Sequence, residues 1–438
     1  MGFRRGRIPP ARDGPLPGGA DGRLRDNARV AHDGSARLLV LGAGPAQLGV
    51  LAAARRRGLT VVAADRDPSA PGFRYADRRA IVSIEDEPAV ERLARAEGVE
   101  AIIAPGTDHA VAIAARVAER LALPHPLTAD AAAVAVSKRR QRERLAEAGI
   151  AQPRSLVCRT PAEATAAAGE LGYPVVVEAP DRTGDRVVGL VLDAAAIAAV
   201  AAEALAESDG DYCLVEELVG RRMLTVNAFS LDGRFVPLTL TDREQAPRPT
   251  FGVPLVHLWP AELEPAEVGA AVETAGAAAR ALGVENGPTT TQVLLGEQGP
   301  LVAKLSARVG GSHDAELCRV ALGVDANALA VAAALGEEVR EHELAPVVRV
   351  GGACVRFLVA PPGALQDVRG LEEAFAVDGV RGIRVYRKPG HVFRELRRAS
   401  DRAGAVLATG ATREGALAAA AAAAARIRFV TAPVEAVA

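Results

Sequence analysis

With 438 residues, 49% of them hydrophobic and 24% charged, the chain is long and apolar enough to bury full cores and to hold about two or three domains. A net charge of −2 and a pI near 6.4 supply no general field for nucleic acid or an anionic membrane surface, so any partner has to be read from a local site. The longest apolar stretch, Ala416 to Ala425, is too short to span a bilayer, which makes the cytoplasm the expected location and argues against a membrane partner.

Residues 1–35 are rich in Gly, Pro and Arg, lack apolar periodicity and read as a disordered extension without the apolar core of a signal peptide. Order is expected from ARLLVLGAGPAQLGVLAAARRRGLTVVAADRDP. Leu38 to Leu41 form a strand, Gly42-Ala43-Gly44 a turn, a helix runs through Arg57, and a second strand ends at Asp65. This βαβ unit raises dinucleotide binding by Gly42 and Gly44 with Asp65 on a ribose. The G-x-G-x-x-G spacing fails at Gln47, however, and a purely structural turn explains the glycines as well. A strand at Ala80 to Ser83, a helix at Glu87 to Glu97, a strand at Ala101 to Pro105 and a helix at Ala110 to Leu121 complete an open, Rossmann-like domain over 36–125. Its strand ends gather Gly42, Asp65 and the Gly106-Thr107-Asp108 turn, where such sheets place ligands.

The character then changes to α+β. Helices alternate with an expected strand pair, Pro174 to Glu178 and Arg186 to Val191, and an antiparallel pair follows around Asp232-Gly233. Cys158, Cys213, Cys318 and Cys354 lie far apart, with no C-x-x-C pair or metal-ligand spacing, and read as small core residues. Basic residues are almost all arginine. The three lysines, Lys138, Lys304 and Lys388, are correspondingly informative.

The order of segments resembles the ATP-grasp superfamily, which includes biotin carboxylase, carbamoyl phosphate synthase and the L-amino-acid ligases. The resemblance covers about 36–436 and rests on the Rossmann-like start, Ser137-Lys138, LGYPVVV, the hinge LVEELVG, a central helix ending LGV, and ARVGGS. The tail from GGACVRFLVAPP to AAAAARI looks like the C-terminal domain of the amino-acid ligase branch. The resemblance implies a Rossmann-like domain at 36–125, an ATP-grasp domain of two subdomains at 126–340 and a small α+β C-terminal domain at 345–438.

It also implies ATP as cofactor and an acyl phosphate intermediate, with positive charge around the phosphates and magnesium held by carboxylates. Lys138 stands at the first phosphate-directed lysine, although a solvated helix face would explain it equally. Glu178 stands where the second lysine is usual, and a carboxylate there would repel phosphate. The following loop, Ala179 to Gly189, keeps Gly184 and Gly189 and carries Asp181 and Asp185. Glu216, Glu217, Leu218 and Val219 match the hinge that meets adenine. The metal positions read Gln292, Lys304 and Ser306, a set without the anionic oxygens magnesium needs. Arg308, with Gly310 and Gly311, matches the arginine that faces the acyl phosphate or substrate carboxylate, and is the catalytic residue if the protein is active. His257 is a further candidate for substrate, in the variable segment Thr241 to Pro260.

A lysine position has become glutamate and a carboxylate position lysine, which predicts a Glu178–Lys304 ion pair across the cleft. The expected function is a degenerate, noncatalytic or metal-independent binding protein, a pseudoenzyme for a nucleotide or small molecule, acting as a homodimer or beside an active homologue. The alternative is a divergent ATP-dependent carboxylate–amine ligase. An NAD-dependent oxidoreductase is a weaker third.

Overall fold

The computed structural model describes residues 35–179, 188–208, 210–220, 222–248 and 250–433. The expected extension at 1–35, apart from Ser35, and most of the loop after Glu178, with Asp181, Gly184 and Asp185, lie outside them. The first strand, β1 (Arg37–Leu41), buries Leu38 to Leu41 on both faces, as a strand inside a parallel sheet does. It is followed by α1 (Leu48–Arg56), β2 (Thr60–Ala64), β3 (Arg78–Ala80), α2 (Glu87–Glu97), β4 (Ala101–Ile103) and α3 (Asp108–Arg120). The four strands form a parallel sheet in the order β3-β2-β1-β4. β3 starts before the expected Ala80 because the Asp77 carboxylate accepts from the Val61 amide and sets the pairing there.

At the end of β1, Gly42 has φ +96°, and a side chain there would run into Gln47. Asp65 accepts from the Ala43 and Asp67 amides, so its carboxylate closes the glycine turn. The Gln47 amide donates to Pro105 O and to Thr107 Oγ1. The turn is therefore tied from within, as in the structural reading, and Asp65 is engaged by backbone where a ribose contact would need it.

Helices α4 (Ala129–Val136) and α5 (Lys138–Glu147) lead to β5 (Ser155–Cys158), α6 (Pro161–Leu171), β6 (Val175–Glu178), β7 (Val188–Val191), α7 (Ile197–Glu207) and β8 (Cys213–Glu217). These strands form an antiparallel sheet, order β5-β8-β6-β7, with the alanines of α6 and α7 covering one face.

Next come β9 (Met223–Leu231), β10 (Arg234–Gln245), β11 (Pro254–Trp259), α8 (Pro265–Ala281), β12 (Gly287–Gly296), β13 (Gly299–Ser306), α9 (Asp314–Leu322), α10 (Ala326–Ala334) and β14 (Gly352–Leu358). The chain ends through β15 (Gly363–Arg369), α11 (Leu371–Phe375), β16 (Val380–Val385), β17 (Val392–Phe393), β18 (Gly404–Gly410), α12 (Arg413–Ala424) and β19 (Arg428–Ala432). β9 and β10 turn at Asp232-Gly233, both at positive φ, the conformation that matches strand twist in a tight hairpin. Eight strands join in the order β13-β12-β9-β10-β11-β14-β18-β16, and β15, β17 and β19 make a separate three-stranded sheet. Because β11 pairs with β14, one sheet runs across the boundary expected at 340–345. Among the described residues, no single helix is long and apolar enough to cross a membrane.

Candidate active site

A cleft of about 950 Å³ opens where the parallel sheet, the small antiparallel sheet and the eight-stranded sheet meet. Lys138 heads α5, an unfavourable place for a cation at a helix N-terminus. Two carboxylates offset this: its ammonium, 3% exposed, donates to Glu178 Oε2 at 2.6 Å and Glu216 Oε2 at 2.7 Å. Arg142, one turn along, donates to Glu216 Oε1 at 2.9 Å and to the carbonyls of Val302 and Ala303. Glu217, the last residue of β8, accepts from the Arg154 amide, and it lines the cleft with Leu218 and Val219 just beyond the strand.

Opposite, Gln292 and Lys304 are cross-strand partners on β12 and β13. The Lys304 ammonium bonds Asp108 Oδ2, and Arg308 Nε donates to Asp108 Oδ1 at 2.6 Å. Asp108 is the first residue of α3, where a carboxylate also meets the positive end of the helix. The ion pair expected between Glu178 and Lys304 is thus replaced by two others. Glu178 bonds Lys138 and Lys304 bonds Asp108, each partner standing at a helix start that lies remote in sequence.

Gly311 lines the cleft with Arg308, whereas Gly310 lies against Asp314, whose carboxylate a side chain there would strike. Ser306 is buried and outside the lining. His257 is also outside it, 1% exposed, with Nδ1 at 2.8 Å from Asp314 Oδ1. Burial pulls its imidazole below the usual histidine range.

Asp108 was the partner missed in the sequence. The signal available was its place at the carboxyl end of β4, in the turn already marked as a ligand position. Arginines at the far end of the cleft were missed as well. Arg243, Arg387, Arg398 and Arg402 line it. The Nε atoms of Arg243 and Arg387 are buried with no hydrogen-bond partner among the described residues. Arg402 lies 3.7 Å over the Phe357 ring, and burial pulls its guanidinium down to about 10. Tyr386, beside them, bonds His313 Nε2 through its hydroxyl at 2.6 Å.

A magnesium ion of the kind ATP-grasp ligases use does not fit these residues. Gln292 offers one neutral oxygen and Lys304 an ammonium, and among the described residues no group of three or more His, Cys, Asp or Glu could hold a metal. A nucleoside fits better. The exposed hinge residues past β8 leave main chain and apolar surface at the cleft wall, while Lys138 already has two anionic partners.

The cleft thus lies between a Rossmann-like parallel sheet and antiparallel sheets. Residues 137–342 match the carbamoyl-phosphate synthase L chain ATP-binding domain, and residues 356–432 match L-amino acid ligase C-terminal domain 2. The L-amino acid ligase of Bacillus licheniformis superposes with a TM-score of 0.77 at 20% identity, covering 91% of this chain and 99% of that one. Phosphoribosylglycinamide synthetase of Anaerococcus prevotii gives 0.72 at 20%, covering 91% and 100%. The biotin carboxylase domain of Hydrogenobacter thermophilus 2-oxoglutarate carboxylase, a dimer solved with MgADP, ADP and bicarbonate, gives 0.73 at 17%, covering 90% of each. Two ligase-family domain models thus match 137–342 and 356–432, and the fold is that of the ATP-grasp structural neighbours.

In sequence, it is 28% identical over 290 residues to the uncharacterized protein y4rH of Sinorhizobium fredii, covering 64% of this chain and 58% of that protein. Formate-dependent phosphoribosylglycinamide formyltransferase of Synechococcus sp. is 33% identical over 144 residues, 33% of this chain and 36% of the relative. The matches thus span between about a third and three fifths of these relatives' own lengths.

Proposed function

We propose that this protein binds an anionic small molecule, ATP among the candidates, in its central cleft without magnesium, and that it does not carry out the acyl-phosphate chemistry of ligases. The observation that carries this reading is the Asp108–Lys304–Arg308 cluster. The Lys304 ammonium occupies a position matched to a metal carboxylate, and the Arg308 guanidinium shares its partner Asp108. Such fixed cations attract an anion directly and need no metal to do so. At the opposite end, Arg243 and Arg387, partly buried with their Nε atoms unpartnered among the described residues, add further positive charge, which fits a ligand with a carboxylate or phosphate there. In this reading the protein serves as a binding module or as the noncatalytic companion of an active ATP-grasp protein.

The second reading, a divergent ATP-dependent carboxylate–amine ligase, is favoured by the two matched ligase domains and by Arg308 at the cleft wall. In it, Lys304 and Arg308 would stabilise transferring charge in place of the metal.

Calorimetric titration with ATP separates the two. Under the first reading, affinity in EDTA and in excess magnesium agrees within about threefold, and no ADP forms with a mixture of amino acids. Magnesium-dependent tightening of more than about tenfold, with ADP release on adding amino acids, would establish the ligase instead.

A further inference from the structure

Two of the cysteines that look isolated in sequence face each other in the fold. Cys158 is the last residue of β5 and Cys213 the first of β8, and the antiparallel register sets them directly opposite. Residues paired in this way have Cα atoms about 4.5–5.5 Å apart. A disulfide spans about 4.4–6.8 Å. Opposed side chains leave a sheet on the same face, and both residues belong to the small core beneath α6 and α7. Both are free thiols, and neither lines the cleft.

We propose that Cys158 and Cys213 are a site of reversible oxidative modification, closing a cross-strand disulfide that locks the edge strand of the small antiparallel sheet. The thiol pair is chemically asymmetric. The Cys158 thiol donates to Leu156 O at 3.8 Å, and its neighbour Cys213 pushes it up, while Cys213 is held below the ordinary thiol range by Cys158. Cys213 is therefore the sulfur that reacts first, since the thiolate is the nucleophile. With a peroxide as oxidant, the Cys213 thiolate attacks one oxygen, the O–O bond breaks, and hydroxide leaves. The resulting sulfenic acid is then attacked by the Cys158 sulfur. The S–O bond breaks, and the Cys158 proton departs with that hydroxide as water. In sum, two thiols and one peroxide become one disulfide and two waters.

Access comes from position. β5 has four residues and lies at the sheet edge, with Cys158 at its end, so fraying of a short ladder exposes the pair without global unfolding. The other two cysteines are built differently. Cys318 and Cys354 sit in separate cores, and burial pushes each thiol up to about 12, so they are internal controls. The link would close a loop that contains Glu178, and it would tie down the strand that presents Glu216 to Lys138. Chain closure of this length restrains the lobe against opening.

The test treats the full chain with hydrogen peroxide, then denatures it, alkylates it and maps its peptides by mass spectrometry. The expected result is a linked peptide containing Cys158 and Cys213, two hydrogens lighter than its parts and split by dithiothreitol. Only two of the four cysteines should then remain alkylated. Native proteolysis within the lobe should slow by about tenfold. Cys158→Ala and Cys213→Ala each abolish the linked peptide, and Cys318→Ala leaves it. Recovery of both cysteines as alkylated thiols, their separate oxidation to sulfinic acids, or a link between two chains would overturn the proposal. The wild-type peptide map decides this even where a variant folds poorly.

Discussion

The two charged networks that face each other in the cleft are built in opposite senses. At the α5 end one lysine, Lys138, gathers two carboxylates, Glu178 and Glu216, with Arg142 completing the set. At the α3 end one carboxylate, Asp108, gathers two cations, Lys304 and Arg308. The first arrangement answers the Lys138 ammonium from within the protein, which weakens its pull on any anion in the cleft. The second leaves one more cation than carboxylate at the cleft wall. The difference teaches that the α5 side balances its charges, two cations with two carboxylates, whereas the α3 side keeps one cation in excess and stays open to an anion.

The largest effect should follow from breaking the more buried network. Glu216→Ala leaves Lys138 and Arg142 without their shared carboxylate, and urea unfolding should show a loss of about 4 kcal/mol. A loss below about 1 kcal/mol would mean that the network behaves like a surface pair. Asp108→Asn tests the other side. It should cost about 3 kcal/mol and, by releasing Lys304 and Arg308 toward the cleft, tighten triphosphate binding in EDTA by about tenfold. Unchanged or weaker binding would break the view of these cations as an anion site.

The smallest effect concerns a group outside both networks. Burial keeps His257 neutral in the folded chain, below the 6.5 of an exposed imidazole, and His125 is depressed by burial as well. The unfolded chain then binds more protons as pH falls through 6.5. Stability is therefore full above that value and declines below it, by about 1 kcal/mol between about pH 7 and about pH 5.5. His257→Asn keeps a donor near Asp314 and should flatten the slope. The same slope in the variant would remove His257 as its source.

Much of the fold was legible because its signals are local. The buried run Leu38 to Leu41, the helix Glu87–Glu97 and the Asp232-Gly233 hairpin each follow from propensity, capping or turn chemistry within a few residues. The chemistry of two cleft side chains was legible too, since Gln292 and Lys304 are poor magnesium ligands wherever they point. What did not show was pairing. Lys304 and Asp108 are 196 residues apart, and Arg308 and Asp108 are 200 apart, so no window of sequence contains either contact. Cys158 and Cys213 were read as unrelated because only the antiparallel register of β5 and β8 makes them opposite.

By itself the sequence determined the element types, the ATP-grasp-like order of segments and the poor fit of Gln292 and Lys304 to magnesium, because these depend on residue identity and short-range spacing. Only the tertiary structure decided that Glu178 answers Lys138, that Lys304 answers Asp108, and that one sheet runs from β13 to β16 through the expected domain boundary. Charges pair with whichever opposite charge the packed backbone brings within a few ångströms, and strands pair along whichever edge the packing leaves open. Neither choice is written in the order of residues along the chain.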